Sequence, residues 1–204
     1  MARSGPEQRP AAQPRPAGRP RRNQQDLLQA AAAVFVTSGV DAPVREIAAK
    51  AGVGVGTIYR HFPTRAELVV AVYRHQVEAC AEAGPRLLAE SPTPEAALRA
   101  WVALFVEFLV TKHGLAGALH GQDAEPDALH RYFIDRLVPV CGALLDAARA
   151  ASGHDALPVD AYTVLKGIGN LCIGAAADQR HDADMLVQML ISGALSHDVP
   201  EPTS

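Results

Sequence analysis

Three glycines within five residues, Gly52, Gly54 and Gly56, mark the stretch "AGVGVGTIYRHF" at residues 51–62. Glycines at this density either cradle a phosphate or let two helices turn sharply against each other. A phosphate-cradling loop needs a strand before it and a helix after it, and the P-loop also ends in Gly-Lys-Ser/Thr. Neither feature is present. The preceding residues, 44–51, instead place Ile47, Ala48 and Ala51 on one helical face, and the following ones, about 55–62, turn Ile58 inward. Two short helices joined by a turn of three or four residues, with Gly52 at the bend and Val53 as an apolar plug, form a helix-turn-helix.

The surrounding chain is helical in pattern throughout. From Asn23, Leu27, Ala31, Val34 and Phe35 follow helical spacing to Gly39, which suits a C-terminal cap, and Asp41 and Pro43 signal the next helix start. Thr64-Arg65-Ala66-Glu67 is a capping box opening a fourth helix, with Leu68, Val72 and Tyr73 on one stripe. Gly84-Pro85 and then residues 91–94 punctuate the chain before a helix of about 95–112. A polar loop at 121–126 follows, then helices of roughly 127–151, 158–177 and 182–195. No segment alternates as a strand does and no internal repeat is present, so the expected fold is all-α.

Charge divides the chain. Residues 1–75 hold 11 Lys and Arg against 5 Asp and Glu, a net of +6, whereas residues 76–204 hold 8 against 17, a net of -9. That asymmetry points to a polyanion-binding head on an acidic body. Residues 1–22, rich in Pro, Arg and Ala, lack apolar periodicity and are expected to form a disordered basic arm. Its Arg19-Pro20-Arg21-Arg22 would either enter a minor groove or stay a solvated tail. The expected parts are thus the arm, a head at 23–75, an effector-binding and dimerisation domain at 76–199, and a tail at 200–204. No stretch reads as a signal peptide or a membrane span, which makes the expected location cytoplasmic. Cys80, Cys141 and Cys172 form no CxxC pair and are expected to pack in the core.

"VREIAAKAGVGVGTIYRHFPTRAELVVAVY", residues 44–73, resembles the DNA-binding domain of the TetR family of bacterial transcriptional regulators. The resemblance covers about residues 23–75, while the remainder is similar in architecture only. It implies a homodimeric regulator, in most cases a repressor, that binds a palindromic double-stranded DNA operator and is released by a small-molecule effector. It implies no cofactor, no metal and no enzymatic activity. Carried over residue by residue, Arg45, Val55, Gly56, Thr57 and Tyr59 fall where family members meet bases. Arg60, His61 and Arg65 fall where they meet phosphates. The sequence departs from the family pattern at Gly54 and Val55, where Ser-Lys is frequent, so one helix cap and one cationic contact are missing.

For the effector, the resemblance directs attention to the helices before the last two, where Trp101, Phe105, Phe108, His113, His120, Tyr132 and Phe133 are candidates; Asn170, on the penultimate helix, is another. An aromatic stripe at 101, 105 and 108 is equally the pattern of a packed core. The small residues Gly167, Gly169 and Gly174 and the apolar Leu186, Met189, Leu190 and Leu195 suit the close helix approach of a dimer. Competing readings are an interaction module without an operator and an enzyme using His113 or His120 as base and Cys141 or Cys172 as nucleophile. No motif brings those groups together. His113 and His120 with Asp123 or Glu125 likewise lack metal-ligand spacing.

Overall fold

The computed structural model describes residues 19–118, 126–152, 159–173 and 181–196, and every regular element among them is an α-helix. In chain order these are α1 (Arg19–Ser38), α2 (Val44–Ala51), α3 (Val55–His61), α4 (Arg65–Glu90), α5 (Pro94–Ala118), α6 (Pro126–Ser152), α7 (Ala161–Leu171) and α8 (Ala183–Leu195). None of the described helices is long and apolar enough to cross a membrane.

The helix ends follow local chemistry. Gly39 (φ 77°) terminates α1 with its N–H donating to the Phe35 carbonyl at 3.1 Å. Gly52 (φ 66°) caps α2 in the left-handed region, and Val53 N–H returns to Ala48 O at 3.0 Å, closing the turn. Thr64 Oγ1 accepts from Glu67 N at 3.2 Å, the forward half of the expected capping box. Asp160 and Asp182 cap α7 and α8 in the same way, accepting from Thr163 N at 3.0 Å and Met185 N at 2.9 Å. Gly54 precedes α3 without a side-chain cap, as its missing serine implies.

Two hydrophobic cores result. The first gathers Leu27, Leu28, Ala31, Val34 and Phe35 of α1 with Ile47, Ala48, Ile58 and Phe62. The second is built by α4 to α8 around Trp101, Phe105, Leu137, Leu144, Ile168 and Ile191. α4 belongs to both, giving Leu68, Val69 and Val72 to the first and Tyr73, Val77, Cys80 and Ala81 to the second. One unbroken helix therefore joins the two cores.

Several boundaries differ from expectation. α1 begins at Arg19, so residues 19–22 extend the first helix; Pro20 is tolerated there because first-turn N–H groups lack helical partners. Residues 1–18, the polar loop at 121–125 and the tail at 200–204 lie outside the described residues. α5 runs on to Ala118, and α7 ends at Leu171.

The Gly84-Pro85 break does not occur: α4 continues through it to Glu90. A proline inside a helix costs about 3 kcal/mol, yet Pro85 is exposed whereas Ala81, Ala83 and Gly84 are buried against α5 and α6. Packing outweighs the local signal. A Cβ on Gly84 would overlap Val140 Cγ1 and meet Trp101 Nε1 at 3.6 Å, so this glycine lets α6 approach α4. Gly84→Ala should accordingly destabilise the protein, the overpacking cost of about 1–3 kcal/mol exceeding the gain of about 1 kcal/mol in helix propensity. Urea denaturation followed by circular dichroism checks this, and adding Val140→Ala should restore most of the loss.

Candidate nucleic-acid interface and effector cavity

The helix-turn-helix sits on the first core with its polar side outward. Ile58 is buried at 1% exposure and holds α3 down, which leaves Val55, Gly56, Tyr59, Arg60 and His61 exposed along the outer face. Thr57 is half-buried. Arg45, in the first turn of α2, is exposed on the same motif, as is Lys50 in its last turn. Tyr59 is 48% exposed, which is unusual for a tyrosine packed for stability and suits a ring kept free for a partner.

Arg65 differs from this group. Its guanidinium donates to the Val40 carbonyl and lies 5.2 Å from the centre of the Phe35 ring, so it ties the start of α4 to the end of α1. Its position at the edge of the motif is as the resemblance implies, but its charge is engaged within the protein, and burial is the main influence lowering its pKa.

A cavity of about 320 Å³ lies among α5, α6 and α7. Phe105, Leu109, Phe133 and Leu165 are its buried walls, and Tyr162 and Gly169 of α7 and Ile173 just beyond it extend the cavity. His130, Lys166 and Asn170, all exposed, supply its polar edge. Of the sequence candidates, the structure brings together Phe105, Phe133 and Asn170 here.

Three others stand apart from this cavity. Trp101 has no exposed surface: its indole N–H donates to the Cys80 carbonyl at 2.8 Å and its ring stacks on Phe105 at 5.8 Å. Phe108 packs between Tyr73 and Phe133, at 5.4 and 5.9 Å. Tyr132 turns outward, donating to Glu78 under the Arg74 guanidinium. His120 lies outside the described residues, and of His113 only its place in α5 is described. Nor do Val72, Val77 and Cys80 line the cavity, as a continuation of α4 along its wall would require; they are taken up by the two cores.

The family model for bacterial regulatory proteins of the tetR family matches residues 27–72, the span of the first core. A TetR transcriptional regulator from Streptomyces coelicolor is 35% identical, the match covering 84% of this chain and 97% of that one with a TM-score of 0.70. The chain belongs to the TetR family. A TetR transcription regulatory protein from Mycobacterium vanbaalenii is 30% identical, covering 85% of this chain and 95% of that one, with a TM-score of 0.64. FadR from Bacillus subtilis, solved in complex with stearoyl-CoA, shares the fold at 18% identity, with coverage of 86% and 100% and a TM-score of 0.54. No curated protein matched the sequence.

As a TetR-family member the chain is a transcriptional regulator whose helix-turn-helix is its DNA-binding domain. Its cysteines are ill suited to nucleophilic chemistry, since burial pushes the Cys80 and Cys141 thiols up to about 12 and also raises that of the half-buried Cys172. Residue-by-residue sequence reading missed Lys166, Tyr162 and His130. The signal was the spacing 162, 166 and 169, one helical stripe on α7 whose polar and apolar members face the same space.

α4 and α6 are also tied at the surface by a polar clasp. Glu78 accepts from Tyr132 and from Arg136, whose Nε lies 2.8 Å from it. The hydrogen bond from Arg136 is the main cause holding the Glu78 carboxyl below its usual range. A carboxylate with a lowered folded-state pKa stabilises the protein above its unfolded pKa, and that contribution disappears as pH falls through the folded value. Glu78→Gln should therefore be less stable than the parent at neutral pH and nearly equal to it in acid. Denaturation midpoints across pH 3 to 7, roughly the carboxylate range and above, check the sign.

Proposed function

We propose that this TetR-family regulator is a homodimeric, ligand-released repressor that reads a palindromic operator through α3. The observation that carries the reading is the outer face of the motif, where Tyr59, Arg60 and His61 of α3 and Arg45 of α2 stand exposed on a packed scaffold. In this reading Arg45, Val55, Gly56, Thr57 and Tyr59 meet base edges while Arg60 and His61 meet phosphates. Arg65 holds the motif against α1 and contributes field rather than a direct contact. The head extends to about residue 75, and the remainder to about 199 binds the effector and dimerises.

Dimerisation is supported by exposed apolar side chains on the last helix: Met185 is 55% and Met189 63% exposed. A single head reads one half-site, so a pair is needed for a palindrome. Met189→Arg places a charge on the exposed side of α8 without touching the core. It should give a folded monomer in sedimentation and lose operator binding together with dimerisation.

The effector enters the cavity among α5, α6 and α7. Phe105 on its wall stacks on Trp101, which is bonded to Cys80 of α4, and α4 carries Leu68, Val69 and Val72 in the head. A ligand that shifts Phe105 thus acts on the helix that positions the motif. FadR of Bacillus subtilis, with the same fold, holds stearoyl-CoA, which is consistent with a ligand site on this scaffold. Linkage makes the coupling reciprocal, so operator DNA must weaken ligand binding by the factor by which ligand weakens DNA binding. The test of the whole reading is selection of DNA from a random pool by the purified protein: a palindrome with half-sites about one helical turn apart is expected, and enrichment of no sequence would overturn it.

A further inference from the structure

We infer that the cavity takes a small amphipathic organic anion: one carboxylate or sulfonate carried on a one- or two-ring apolar body. The inference rests on the reading of this cavity as the effector site. Burial grades the cavity from end to end, since Phe105, Phe133 and Leu165 are 0%, 6% and 3% exposed whereas Lys166 and Asn170 are exposed at its edge. An occupant must be apolar where it is deep and polar where it meets the edge.

The sign of the polar group follows from the lining. Residues 76–204 carry a net charge of -9, yet the described lining includes a lysine and a histidine and no carboxylate. Among the described residues no acid pairs with Lys166. Asn170 follows Lys166 by four residues on α7, one helical turn on, so its amide N–H groups and the ammonium address the same space. A cationic ligand would be repelled there, and a neutral one would gain nothing from the ammonium.

Size limits the rest. A cavity of about 150 Å³ holds a benzene ring, and this one, at about 320 Å³, has room for roughly two. Phe105 and Phe133, with ring centres 5.8 Å apart and planes tilted by 32°, close the deep end with aromatic carbon, against which a flat apolar body packs.

A matched pair of fluorescent probes tests this. 5-Dimethylaminonaphthalene-1-sulfonate and 1-dimethylaminonaphthalene share one two-ring skeleton, differ in the sulfonate, and change their emission on entering an apolar site. The dimeric protein should bind the sulfonate at least about tenfold more tightly than the neutral probe, the size expected of one charge-assisted hydrogen bond. Lys166→Gln, at an exposed position, should remove that preference while leaving the neutral probe's affinity unchanged. Equal affinities for the two probes, or a preference that survives Lys166→Gln, would overturn the anion assignment and leave the cavity reading standing. Gly169→Leu separates the two readings: Gly169 lines the cavity and a Cβ there meets nothing within 4 Å, so the added bulk takes up cavity space. It should abolish binding of both probes. Undiminished binding of both would mean that the cavity is not the site, and the anion assignment would fall with it.

Discussion

Replacing Trp101 with alanine should destabilise the protein by about 3–5 kcal/mol, the range for truncating a large buried aromatic. The indole is fully buried, stacked on Phe105 and bonded to the Cys80 carbonyl at 2.8 Å, and it faces the point where Gly84 lets α6 close on α4. Its removal leaves a hole at the junction of three helices, and Gly84, having no side chain, cannot fill it. Trp101→Phe separates the contributions: it keeps a ring against Phe105 and loses the N–H donor, so its cost should be nearer 1–2 kcal/mol. Urea denaturation monitored by circular dichroism gives both numbers. A Trp101→Ala protein with an unchanged midpoint would show that the indole is not packed in the core and would return it to the candidate effector contacts.

The second large effect belongs to the DNA interface. Arg45→Ala and Tyr59→Ala should each reduce discrimination between the selected operator and random DNA by about 1–3 kcal/mol, while the thermal transition stays in place. Both side chains are exposed, and neither belongs to the first hydrophobic core, so truncating them removes little packing. Arg60→Ala should behave differently, weakening all DNA alike and making the salt dependence shallower by about one phosphate contact. Competition binding at two salt concentrations distinguishes them. Unchanged ratios for both Arg45→Ala and Tyr59→Ala would sink the assignment of α2 and α3 to base reading.

Much of the head was legible in the sequence because its signals are local. The turn at Gly52 needs a left-handed φ that glycine adopts without strain, the cap at Thr64–Glu67 joins neighbours three residues apart, and Ile47 and Ile58 each mark the inward face of a short helix. Such features are settled within a turn or two of chain. The resemblance at residues 44–73 rests on those same residues, and the family match over 27–72 agrees with it.

The second domain followed the sequence in kind and departed from it in detail. Its helices were expected, because apolar periodicity without strand alternation leaves no other fold class. Gly84-Pro85 did not end α4, however, since burial against α5 and α6 is decided by partners that follow it in the chain. The aromatic stripe at 101, 105 and 108 held both core and cavity residues. Only the third dimension sends Trp101 to Cys80 and Phe105 to the cavity wall.

The sequence by itself determined an all-α chain with a helix-turn-helix head, a basic first third and an acidic remainder, because spacing, capping and charge are properties of neighbours along the chain. Tertiary structure alone decided that α4 serves both cores, that Arg65 is held by Val40 and Phe35, and that Lys166 and Asn170 share a cavity with Phe105 and Phe133. Those pairings join residues tens of positions apart, and which of them form is set by how whole helices pack, through close approaches such as Gly84 against Val140 that no local pattern encodes.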